Sequence, residues 1–173
     1  PSALAPGMGV LLSNIVKPLS PMNPAAFKVH GISEYSAIND GESISSVIDY
    51  LHQQMTPVEK DKFLASFNLQ FDNRLLMQSA FRTGDLALCK KAAMLTHKWR
   101  LNNRVPCIME LCNRWFSEHL VWRAETSQFG RLSLEKCLEL AGIDRIGEAH
   151  SALSDAKAAL ALVQFIAEHE ITE

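Results

Sequence analysis

Apolar positions recur at helical spacing in several stretches of the chain. Ile44, Val47, Ile48 and Leu51 fall at i, i+3, i+4 and i+7, which predicts a helix over 43–55, stopped by Pro57. A second helix is predicted over 71–82, with Leu75, Leu76 and Phe81 apolar and Gly84 in the terminating position. A third follows over 86–99. A helix is also expected after Met109, running through Phe116. Ser133 is a good N-cap for a helix over 134–141, with Glu135 in its first turn and Gly142 as its stop. The last helix is predicted over 151–168, with Ala152, Ala156, Ala159, Val163 and Ile166 as its inward stripe.

Between these lie short apolar runs that read as strands: 9–16 (GVLLSNIV), 62–67 (KFLASF) and 105–109 (VPCIM). Pro106 puts the last of these at or near a sheet edge. Pro18 and Pro21 punctuate a connection over 17–23, and 24–29 has room for one helical turn ended by His30-Gly31. The stretch 120–131 has no clean period and is expected to be a loop. Strands alternating with helices predict an α/β class, a sheet covered by helices. No repeat or interdomain linker is visible. The expected organisation is one domain over 9–173, preceded by a small Pro/Gly-rich segment, 1–8, read as a tail or truncated end.

Composition narrows the reading without settling it. At 173 residues, 47% of them apolar, the chain can bury one substantial core. A formal charge of −2 excludes a strongly basic polyanion binder, so any phosphate contact would depend on local patches or on cations. Lys90, Lys91, Lys98, Arg100 and Arg104 form the one basic cluster, read as a solvated face before a phosphate track. Trp99, Trp115 and Trp122 could stack on bases, though packing is the plainer reading. Cys89, Cys107, Cys112 and Cys137 form no Cys-x-x-Cys pair. They are expected to be buried and reduced, in a cytoplasmic protein without a membrane span.

Three polar side chains stand out. Asp72 follows a predicted strand at the head of a helix, where a carboxylate is also routine because it complements the helix dipole. Asp155 borders the buried stripe of the last helix and needs a positive partner, either a metal ion, an arginine or a helix N-terminus. His150, just before that helix, could accept a proton near neutral pH or be a plain surface side chain. Asn68 sits where a polar amide often positions a turn or a substrate.

Asn68-x-x-Phe71-Asp72, followed by Arg74-Leu-Leu, resembles the second motif of the DnaQ-like, or DEDDh, 3′–5′ exonucleases. His150-Ser-Ala-Leu-Ser-Asp155 resembles their third, His-x4-Asp. Val16-Lys-Pro through Val29-His-Gly-Ile-Ser33 resembles the segment between that family's third strand and first helix. The run 105–109 falls where the family has its fifth strand, and Leu132-Ser-Leu134 where it has a following helix. The resemblance spans roughly 9–166. It implies an RNase H-like mixed sheet flanked by helices, strand order 3-2-1-4-5. It also implies hydrolysis of phosphodiester bonds at single-stranded 3′ ends of DNA or RNA with two divalent cations, Mg2+ or Mn2+. By motif match Asp72 and Asp155 would be metal ligands and His150 the general base. Asn68, Phe71, His30 and Gly31 would lie near the substrate nucleotide.

One part of the family pattern is missing. Its first motif, Asp-x-Glu on the first strand, is absent, and the only Asp-x-Glu here is Asp40-Gly-Glu42 in a loop. The expectation is a chain lacking the first two strands of the sheet, with weak or no cleavage. A homo-oligomer or partner could supply the missing strands. The competing expectation is a catalytically inactive nucleic-acid-binding or assembly module on the same fold.

Overall fold

Strong local stop signals decide where the helices begin and end. In the computed structural model residues 12–55, 65–101 and 107–170 are described, the side chains of 97–101 excepted. Helix α1 (Pro24–His30) starts under the Asn23 side chain, which accepts from the Ala25 amide, and ends at Gly31 with φ +70°. Helix α2 (Glu34–Asn39) is capped by Ser33. Helix α3 (Ile44–Met55) begins after Ser43, whose hydroxyl accepts from the Ser46 amide. Helix α4 (Leu69–Arg82) gives way at Thr83-Gly84 to helix α5 (Leu86–Leu101), whose first amides are held by the Asp85 carboxylate. Helix α6 (Ile108–Trp115) leads through a 3₁₀ turn at Ser117–His119 into a hairpin of β1 (Trp122–Arg123) and β2 (Gln128–Phe129). Helix α7 (Leu134–Ala141) and helix α8 (Ala152–Glu170) complete the order.

The helices bury two apolar cores. Helices α3, α4 and α5 enclose Ile44, Ile48, Ala80, Leu88, Ala92 and Leu95. Helices α6, α7 and α8 enclose Ile108, Cys112, Cys137, Leu138, Leu162 and Ile166. Phe67 packs both on the second core and on the small cluster of Leu69, Cys107 and Met109, and Leu76 packs on that cluster and on the first core. Each fully buried Leu or Ile contributes roughly 1.5–3 kcal/mol by leaving water.

The chain is mixed α and β and mostly helical, and among the described residues its sheet is the two-stranded antiparallel hairpin alone. The expected run 9–16 is described only from residue 12, and it pairs through a single parallel bridge, Val16 with Glu42. Of the expected strand 62–67, residues 62–64 lie outside the described residues, and Ser66 makes one parallel bridge with Cys107. Residues 105–106 of the third run are also outside them. The rest of that run turns helical, because Ile108, Met109 and Cys112 bury together on a 3.6-residue period. Helix α4 starts only three residues after Ser66, so the pairing has no length in which to propagate.

Two other expectations shift. The stretch 120–131 forms the hairpin, with Trp122 opposite Phe129 and Arg123 opposite Gln128. Helix α8 buries Ser154, Ala158, Ala159, Leu162 and Ile166, while Ala152 and Ala156 are exposed. The helix is rotated so that the larger Leu162, not a row of alanines, faces the core, since buried area sets the gain. No helix among the described residues is long and apolar enough to cross a membrane.

Candidate functional site

The loop between α7 and α8 turns sharply. Gly142 (φ +66°), Gly147 (φ +88°) and His150 (φ +65°) all have left-handed backbone. For a histidine that conformation is uncommon, and it costs roughly 1 kcal/mol. It leaves the His150 side chain exposed to solvent at the head of α8. Asp155 follows in the first turn of the helix, its amide bonded to the Ser151 carbonyl at 2.8 Å.

Asp155 has found the positive partner it needs. Arg145 Nη1 donates to Asp155 Oδ1 at 2.6 Å. The same guanidinium binds Glu135, in the first turn of α7, through both carboxylate oxygens, with Nε at 3.1 Å from Oε2 and Nη2 on Oε1. The Arg145 side chain is only 14% exposed, against 57% for Glu135 and 35% for Asp155. The Glu135 hydrogen bond is the main influence raising the Arg145 pKa above its already high value, with Asp155 adding to it against the cost of burial. The guanidinium therefore keeps its charge.

Asp72 meets different surroundings. It sits in the first turn of α4, its amide bonded to the Asn68 carbonyl at 3.2 Å. Burial pushes its carboxyl above the ordinary value near 3.8, and the Ser66 hydroxyl and its own amide only partly offset this. Ser66 Oγ is close enough to favour the charged form, yet it is buried without a hydrogen bond of good geometry, as is Asn73 Oδ1. The two orphaned oxygens and a burdened carboxylate make this helix head poorly satisfied.

The remaining expected residues are dispersed. Asn68 takes the N-cap position of α4 without bonding a helix amide through its side chain. Phe71 is half exposed on the same helix. His30 Nδ1 accepts from the Ile32 amide at 3.0 Å, which ties its ring to the Gly31 turn. That turn ends α1, a helix with no buried residue. Lys91 is paired with Asp49 at 2.7 Å, while Lys90 is exposed. Trp122 stands edge-on to Phe129 on the hairpin, both more than half exposed. All four cysteines are free and buried. Contact with Cys137 and burial push the Cys112 thiol well above its usual range, so it stays protonated.

The residues expected to hold two divalent ions do not fit them in this arrangement. Among the described residues no three His, Cys, Asp or Glu side chains are grouped so as to hold a metal ion. Asp155 already has a cation in Arg145, and burial raises the Asp72 pKa above its ordinary value. Arg145 is the functional side chain that motif reading does not single out. The available signal was its position, in a glycine-punctuated loop ten residues from each of two first-turn acids. Comparison of the chain with protein-family models, with curated proteins and with solved structures finds no match.

Proposed function

We propose that the chain is a 3′–5′ exonuclease-family domain acting on single-stranded DNA or RNA ends, with low activity in the arrangement described above. The observation that carries this reading is the head of α8, where an exposed His150 precedes a first-turn Asp155 by five residues. Asp72 in the first turn of α4 supplies the second element in the expected order. The RNase H-like sheet belongs to the same proposal. The parallel bridge between Ser66 and Cys107 supports it, because Cys107 lies in the run matched to the family's fifth strand and Ser66 in the expected strand that precedes the second motif.

In this reading His150 takes a proton from the attacking water, while Asn68, Phe71, His30 and Gly31 contact the terminal nucleotide. Asp72 and Asp155 are the acids through which Mg2+ or Mn2+ would be recruited, although their present partners leave neither ready to do so. The test is shortening of 3′-unlabelled, 5′-labelled DNA and RNA strands in Mg2+ or Mn2+. Slow shortening is expected, reduced at least about 100-fold by His150→Ala, as for loss of a general base. No shortening, or shortening indifferent to His150, overturns the reading.

A second reading is favoured by the pairing of Asp155 with Arg145: a catalytically inactive nucleic-acid-binding or assembly module. It expects single-strand binding in chelator that weakens steeply with salt and with Lys90→Glu. Binding that requires Mg2+ and ignores Lys90 would count against it.

A further inference from the structure

The α7–α8 connection brings two first-turn acids to one partly buried cation. Arg145 uses Nε and Nη2 on Glu135 and Nη1 on Asp155, with Nη1 also 3.4 Å from Ser154 Oγ. Ser154 Oγ in turn donates a hydrogen bond to the Ile146 carbonyl at 2.7 Å. Gly147 lies so close that a Cβ there would stand 3.2 Å from Ser154 Oγ. The guanidinium is thus fixed by both helix heads and by its own loop. It occupies Asp155 Oδ1.

A guanidinium and a divalent cation cannot share that oxygen without two like charges meeting within a few ångströms, which is unfavourable even where solvent screens part of the repulsion. We infer that Arg145 is a built-in counter-ion that closes Asp155 to divalent cations, so that the clamped form and a cation-bound form exclude one another. The inference rests on the reading of Asp155 as a cation ligand. Without the guanidinium, two first-turn acids would face the space it fills, and the clamp and any cation bound there weaken one another by the same factor.

The experiment is Mn2+ titration of the whole chain followed by electron paramagnetic resonance, for wild type, Arg145→Met, Arg145→Lys and the double variant Arg145→Met/Asp155→Asn. Arg145→Met is expected to bind Mn2+ about tenfold tighter than wild type, a coupling of ordinary size. The double variant is expected to lose the gain. Arg145→Lys keeps the charge but lacks the planar fork that holds both carboxylates at once, so its affinity should fall between. It also serves if Arg145→Met does not fold. Equal affinities in wild type and the foldable Arg145 variants overturn the inference, as does a gain that survives Asp155→Asn. Strand shortening, assayed in parallel, separates the two ideas. Tighter Mn2+ binding without shortening keeps the clamp and removes the exonuclease. Shortening with Mn2+ affinity indifferent to residue 145 does the reverse.

Discussion

Asp72 and Asp155 hold the same position in two helices, the first turn, where the helix dipole favours a carboxylate. Their surroundings differ. At the head of α4 burial outweighs the hydrogen bonds that Asp72 receives, and the carboxyl is pushed toward its neutral form. At the head of α8 burial comes with Arg145, itself secured by Glu135, and the carboxylate is bound at 2.6 Å. The helix dipole alone therefore does not decide whether a half-buried acid is at ease. A full opposite charge held in place by a third group does. The cores beneath are alike in kind, apolar and built from three helices each. The contrast thus belongs to the polar residues placed above them.

The largest expected effects test that likeness of the cores. Leu95→Ala and Leu162→Ala, both at fully buried positions, should each lower stability by about 3 kcal/mol in urea denaturation. A loss below about 1 kcal/mol at either site would mean that one region lacks a real core and that the heads are not comparable. Next is the clamp. Arg145→Met should cost about 2 kcal/mol, less than a fully buried pair because Glu135 and Asp155 keep partial exposure. A midpoint unchanged in the same assay would reduce the clamp to a surface contact. Gly147→Ala should cost about 1–2 kcal/mol through its left-handed backbone and its contact with Ser154. An alanine tolerated without loss would show that the loop is not held.

The smallest effect sharpens the contrast from the Asp72 side. A raised folded-state pKa means that the folded chain holds this proton more tightly than the unfolded chain. The stability penalty is therefore full above the raised value and disappears as pH falls toward the ordinary value. Asp72→Asn should raise Tm by about 1–2 °C at pH 7. The gap to wild type should close on acidification toward pH 4. An Asp72→Asn variant less stable than wild type at pH 7 would instead place a cation beside Asp72.

Much of the helical framework could be read from the residues. The Ile44–Ile48 stripe locates α3, and Ser133 with Gly142 brackets α7 at both ends. These are local effects, in which neighbouring side chains satisfy helix amides or permit positive φ. The strand expectations fared differently, because a short apolar run suits a strand or a buried helical face equally well. Ile108, Met109 and Cys112 took the second option. The candidate site was legible as motifs, His150 to Asp155 and Asn68 to Asp72. The need of Asp155 for a positive partner was legible too, but not which of the possible partners would meet it.

The amino-acid order by itself determined where helices such as α3 and α7 start and stop, since caps and glycines act over three or four residues. It also determined that acids would stand in the first turns of α4, α7 and α8. Tertiary structure alone decided which acid would be paired. Arg145 lies ten residues from either partner, beyond any local rule, and reaches both only because α7 and α8 pack with their heads together. The energy of a buried charge depends on what surrounds it in space, and only the folded arrangement specifies those surroundings.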